Sequence, residues 1–204
     1  MLYLTGCLPV KAEVQQQLLA HNIGVMCTPY SQRNIPTNDW IWAADNGCFS
    51  NKWDSETWHS WLLSLRNKQQ PLFATVPDVV GDHYGTLKQW NIHAQKVKDM
   101  GFRTAFVLQN NATIHNIPLA EFDALFIGGT TDFKLSEQTR TIVRLCKENN
   151  KWVHMGRVNS ATRIHTAFHW GCDSVDGTYL AYSPDANTPR LIRMMNTGTQ
   201  PTLF

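Results

Sequence analysis

AFHWGCDSVDGTYLA, residues 167–181, is the stretch on which the fold turns. Its centre, Cys172–Val175, reads as a short buried strand that hands an acid, Asp176, to a loop containing Gly177. Val175 supplies apolar strand character, and a glycine lets the backbone turn sharply and admits a ligand nearby. Asp173 and Asp176 sit awkwardly in a core strand, because a carboxylate is expensive to bury without partners. The ordinary account is a strand ending in a turn whose aspartate caps local backbone donors. The choice depends on whether this strand is a spare edge or the last of a closed series.

Seven further apolar segments precede it: Leu2–Thr5, Ile23–Cys27, Trp40–Ala44, Leu72–Val76, Thr104–Leu108, Ala124–Ile127 and Trp152–Met155. Helical patterns fall between most of them, at Val10–Leu19, Asp54–Leu65, Gly85–Met100, Ser136–Glu148 and Ser160–Trp170. Asp54 or Ser55 caps the second helix, and Gly101 stops the third. NNATIHNIPLAEF, between strands five and six, does not read as a full helix, and the turn-rich PYSQRNIPTND reads as an exposed loop rather than a lid. The strands lack period-2 alternation, as in a parallel sheet covered by helices. A doubly wound sheet accommodates six or seven strands. A closed (β/α)8 TIM-type barrel takes all eight, so an α/β single domain over residues 1–204 is expected. Residues 178–204, with Pro184, Pro189 and Pro201, read as an irregular C-terminal segment within it.

Composition narrows the setting. The 204 residues are 43% AVILMFWYC, enough for one substantial core, and eight are Trp. Lys+Arg 18 against Asp+Glu 16 gives a formal +2, which neither demands nor excludes nucleic acid. Five widely spaced cysteines with no CxxC suggest reduced thiols rather than a disulfide framework or structural zinc. No run approaches membrane-spanning length, and MLYLTGCLPV is too interrupted for a secretory signal. A cytoplasmic protein without a membrane partner is expected.

In a barrel, the polar punctuation falls on one face. Strand ends carry Asp45, Asp78, Gln109, Gly128-Gly129, Gly156-Arg157 and Asp176, and the C-terminal face is where this fold builds active sites. Glycines there permit close backbone approach and expose N–H donors to a phosphate or a flat ring, with Arg157 adding a cation. His83, His93, His115, His154, His165 and His169 form no HExxH or facial triad. His154, inside a strand, reads as a satisfied core histidine, and His165 and His169 as surface residues. Arg33, Lys52, Arg157, Arg163, Arg190 and Arg193 suit either a phosphate-contacting surface or ordinary solvation. Trp40 and Trp42 read as braces for the third strand, with stacking on an extruded base as the other role.

In order along the chain, ADNGCF (44–49), VPD (76–78), LQN (108–110), FIGG (126–129), VHMGRV (153–158) and GCDSVDG (171–177) resemble the motifs of the tRNA-guanine (queuine) transglycosylases and their DNA-acting relatives. The resemblance implies that Asp176 is the nucleophile and Asp45 a general base or stabiliser. It implies base recognition by Asp78, Gln109 and the Gly128-Gly129 backbone, with Gly156 and Arg157 near the ribose-phosphate. The chain departs from the tRNA-acting members: Gly177 stands where they have a cysteine, no CxCxxC follows, and few residues remain. It is closer in character to the compact phage and bacterial enzymes that exchange guanine in DNA for a 7-deazaguanine. DNA rather than tRNA is the implied partner, a free 7-deazaguanine the co-substrate, and no metal or other cofactor is implied. A homodimer or a helper protein would assist nucleic-acid binding, and a phage-encoded chain would work in host cytoplasm.

The chemistry suits these residues in its own right. Base exchange at a glycosidic carbon passes through an oxocarbenium-like state, which needs a carboxylate on one face and proton management for the base on the other. A base inside a duplex must first be flipped out. Open alternatives are a tRNA-guanine transglycosylase, a base-releasing N-glycosidase, a phosphate-binding barrel enzyme for a small metabolite, and a non-catalytic nucleic-acid-binding barrel.

Overall fold

A computed structural model describes residues 1–31, 40–50 and 53–198. Eight parallel strands close into one barrel in chain order. They are β1 (Leu2–Thr5), β2 (Ile23–Cys27), β3 (Trp42–Ala44), β4 (Ala74–Thr75), β5 (Thr104–Leu108), β6 (Ala124–Ile127), β7 (Trp152–Met155) and β8 (Ser174–Gly177). Closure is made by the register Leu2↔Ser174, Leu4↔Asp176 and Thr5↔Gly177. The quoted stretch is therefore the piece that turns an open sheet into a barrel. The protein is a single-domain α/β barrel of the TIM type.

Helices α1 (Ala12–Ala20), α2 (Ser55–Leu65), α3 (His83–Asp99), α4 (Thr131–Lys134), α5 (Glu137–Glu148), α6 (Ala161–His169) and α7 (Pro184–Gly198) surround the strands. Capping fixes several starts: the side chains of Asp54, Asp82, Ser136 and Ser160 accept from N–H groups in the first turns of α2, α3, α5 and α6. Gly101, with φ +88°, follows α3 as a left-handed stop. No helix forms between β5 and β6; turns there bury Ala112, Ile117 and Phe122 instead.

Two buried clusters share the core. Leu4, Met26, Ala43, Phe73, Ala105 and Ala124 form one, with Phe126 and Trp152 packed against it. The larger holds alternating strand residues such as Tyr3, Val25, Phe106, Leu125 and Val153 together with helix residues such as Trp58, Trp90 and Ile142. Small side chains from β3, β5 and β6 make room for Phe73 within a narrow barrel.

Three expectations need correction. The last strand starts at Ser174, not Cys172: the Cys172 N–H bonds the Ala167 carbonyl and closes α6, while Asp173 accepts from the Val153 N–H and from Lys147. Asp176 is thus a strand residue rather than a loop residue. Gly177 does not turn the chain either. A Cβ there would lie 2.3 Å from Asn159 Oδ1 and 2.6 Å from the Val158 carbonyl, so glycine is set by close approach. Finally, the described part of the expected irregular segment, residues 178–198, is largely helical, because α7 occupies Pro184–Gly198 and packs on α1 and α6. Pro184 stands in its first turn, where no N–H is needed, and buried Leu191 anchors it. Most of the PYSQRNIPTND insert, with Arg33, and also Lys52 and Pro201 lie outside the described residues.

Candidate active site

The C-terminal ends of the strands open on a cavity of about 360 Å³. Asp45, Asp78, Gln109, Gly128, Gly129, Arg157 and Asp176 all line it, so these seven are brought together. Gly156 lies just behind, where a Cβ would meet the Phe126 ring at 2.6 Å. Trp40 and Trp42 are buried and take no part in the lining; the Trp42 indole donates to the Gln69 carbonyl.

The three carboxylates have different surroundings. Asp45 follows β3 and accepts a hydrogen bond from Thr75 Oγ1 at 3.3 Å. Burial, then the charges of Asp176 and Asp78, push its carboxyl from 3.8 up to about 7. Asp78, placed after β4 where Pro77 ends the ladder, is gripped at both oxygens. Asn46 Nδ2 donates to Oδ1 at 2.9 Å and Gln109 Nε2 to Oδ2 at 2.7 Å. Burial raises its pKa, and the hydrogen bonds from Asn46 and Gln109 oppose that rise. Asp176, on β8, accepts at Oδ1 from His154 Nε2 (2.9 Å) and from the Arg157 N–H (3.3 Å).

Gln109, expected to read a base, lines the cavity, and each end of its amide makes one bond: Nε2 with Asp78 and Oε1 with the Gly81 N–H at 2.9 Å. It holds Asp78 in place. The glycine loops also offer fewer donors than expected. The Gly128 and Gly156 N–H groups bond the Leu108 and Ile127 carbonyls, and the Thr130 N–H is taken by Asn110 Oδ1. Arg157 adopts φ +58°, a strained setting for a side-chain-bearing residue. Its guanidinium lies over the Phe49 ring, 4.4 Å from the centroid, and donates to the Gly129 carbonyl, tying the β6 and β7 loops together.

Lys134 escaped the sequence reading, and Asn46, His154 and Arg163 take places at the site that it did not assign them. Asn46 spans Asp78, the Val76 carbonyl and the Cys48 N–H; its polar place in ADNG was the only signal. Lys134 is buried in α4 and donates to the Gly156 carbonyl, and burial followed by Arg157 lowers its pKa to about 8. His154 is indeed fully buried and satisfied, but its partners are Ser174 and Asp176. Arg163 donates to the Arg157 carbonyl and to Thr131 Oγ1, adding a second cation beside the mouth.

No group of three or more potential metal ligands occurs among the described residues. No helix among them is long and apolar enough to cross a membrane. The molecule is thus defined as a (β/α)8-barrel protein with an acidic, partly apolar cavity at its C-terminal mouth. No protein-family model matches the chain, and no curated protein matches it.

Proposed function

We propose that the chain is a base-exchange transglycosylase that replaces guanine in a nucleic acid, DNA in preference to tRNA, with a free 7-deazaguanine base. The observation that carries this reading is the set of three carboxylates on one cavity, each held differently: Asp176 by His154 and the Arg157 backbone, Asp78 by two side-chain amides, Asp45 by the Thr75 hydroxyl and the Asn46 backbone.

In the first step an Asp176 oxygen attacks C1′ of an extruded nucleotide. The C1′–N9 bond breaks, its electron pair leaves with guanine, and guanine takes its proton from the Asp45 carboxyl, which becomes a carboxylate. In the second step Asp45 takes the proton from N9 of the incoming base. N9 then bonds to C1′, and the C1′–oxygen pair returns to the Asp176 carboxylate. A carboxyl with a pKa of about 7 is matched to such two-way proton traffic near neutrality. Asp78, clamped by amide donors, keeps lone pairs for the N1–H and amino group of a guanine-like edge. Phe49, Phe126, Val80 and Val107 supply apolar walls for a flat ring, and the cavity lies within the roughly 300–1,000 Å³ of small-molecule sites. Arg157 and Arg163 favour a phosphodiester at the rim.

The phosphate-barrel alternative is less well supported, since the N–H groups of Gly128, Gly156, Thr130 and Arg157 are already engaged within the protein. The test is incubation with isotope-labelled guanine or 7-deazaguanines and single-stranded DNA, duplex DNA or tRNA, read by mass spectrometry of the digested nucleosides. Label entering DNA is expected. Label entering no nucleic acid, with a phosphorylated metabolite turned over instead, would overturn the proposal.

A further inference from the structure

We infer that His154 is a positioning residue for Asp176: it fixes Oδ1 through a directed hydrogen-bond chain and leaves Oδ2 as the attacking oxygen. This deepens the transglycosylase reading and rests on it.

The chain zigzags between two neighbouring strands. His154 and Ser174 are in register across β7 and β8. Trp152 stands two residues before His154, and Asp176 two after Ser174, so all four share one face of the sheet. An indole N–H can only donate, and that of Trp152 donates to Ser174 Oγ at 2.8 Å. The Ser174 proton is then available to His154 Nδ1, also 2.8 Å away. That leaves the imidazole proton on Nε2, directed at Asp176 Oδ1 at 2.9 Å. One donor-to-acceptor direction satisfies every member of the series.

The ring has little freedom to do otherwise. His154 is 0% exposed and packs against Phe126 and Phe73, with centroids 4.6 and 5.3 Å away. The Arg157 N–H, presented by its left-handed backbone, reaches the same Oδ1. Among the described residues no hydrogen bond reaches Oδ2, although Asp176 lines the cavity and its side chain is 19% exposed. The carboxylate therefore has two unlike oxygens, one anchored and one presented. Fixing its rotation aligns a single lone pair with C1′. The same two donors remain on Oδ1 when Oδ2 is esterified, and they stabilise the carboxylate charge as it returns in the second step.

The test uses the full chain and three variants: His154→Leu, His154→Gln and Ser174→Ala. In the unliganded wild type, long-range ¹H–¹⁵N correlation spectra of the imidazole should show the proton on Nε2 and a bare Nδ1. The reverse tautomer would overturn the chain. In the exchange assay, His154→Leu should lower kcat about 10- to 100-fold while KM for the oligonucleotide stays within about threefold. His154→Gln, which keeps a donor near Oδ1, should recover most of that loss, and Ser174→Ala should fall between. A kcat for His154→Leu near wild type, or a loss carried by KM alone, would refute the positioning role. If the wild type exchanges no base on any nucleic acid, the attacking-oxygen assignment falls with the transglycosylase reading, while the tautomer remains separately decided.

Discussion

Asp45→Asn should make the protein more stable and less active, by an amount that depends on pH. The unfolded chain releases this proton near pH 3.8 and the folded protein near 7. Between those values the folded state binds more protons, so protonation favours the fold and stability falls as pH rises through the window. The shift is about 3 pKa units, or about 4 kcal/mol as a ceiling at pH values above 7. At about pH 5 only some 1–2 kcal/mol of that penalty has developed. Asparagine carries no charge, and its Oδ1 still accepts from Thr75. The stability advantage of Asp45→Asn over wild type should therefore grow by about 2–3 kcal/mol from pH 5 to pH 8. For a chain of this length that corresponds to an added Tm difference of about 5–10 °C. Thermal and urea melts followed by circular dichroism at the two pH values measure it. An advantage that stays constant, or shrinks as pH rises, would refute the assignment of a half-buried, repelled carboxylate. The same variant should lose exchange activity, since Asn cannot take up the N9 proton.

Asp78→Asn replaces an acceptor clamped between two amide donors with a group that itself donates. Its KM for guanine-type bases should rise about 10-fold or more while the sugar adduct at Asp176 still forms, and unchanged base preference in competition assays would contradict this. Gly177→Ala places a Cβ 2.4 Å from Tyr3 Oη and 2.6 Å from the Val158 carbonyl, so β8 must shift. A loss of about 1–3 kcal/mol in urea unfolding is expected, against none if the glycine were only a turn residue. Burial, with the charges of His59 and Lys96, lowers the pKa of His93 from 6.5 to about 4. Because the folded state must keep it neutral, stability should fall by up to about 3 kcal/mol as pH drops from 6.5 to 4. His93→Phe, keeping a ring against Trp53 and Trp58, should flatten that slope, and an unchanged slope would assign acid sensitivity elsewhere.

The barrel was legible because several apolar segments are followed by residues that seldom continue a buried strand. Asp45, Pro77-Asp78, Gln109 and Gly128-Gly129 mark strand ends by polarity or backbone chemistry alone. The phase of β8 was not legible. Cys172 is as apolar as a strand residue, and only the bond from its N–H to Ala167 shows that it closes α6. The last helix was hidden by Pro184, which suits its first turn, and by Pro189, whose unfavourable propensity is outweighed by packing on α1 and α6. The carboxylates of the site could be found from strand ends, but their partners could not. His154 and Asp176 are 22 residues apart, and their contact exists only because β7 and β8 pair in this register. Gln109 illustrates the converse, since no sequence signal tells that each end of its amide already makes one bond within the protein.

The central claim is that Asp176 forms the bond to the sugar. The most direct measurement is to quench the protein with a guanine-containing oligonucleotide, resolve it on denaturing gels, and map the adduct by peptide mass spectrometry. The wild type should carry a glycosyl ester on Asp176, discharged by added 7-deazaguanine, and Asp176→Asn should form neither adduct nor exchanged product while still binding the oligonucleotide. Near-normal exchange by Asp176→Asn, or an ester that maps to Asp45 or Asp78, would contradict the account.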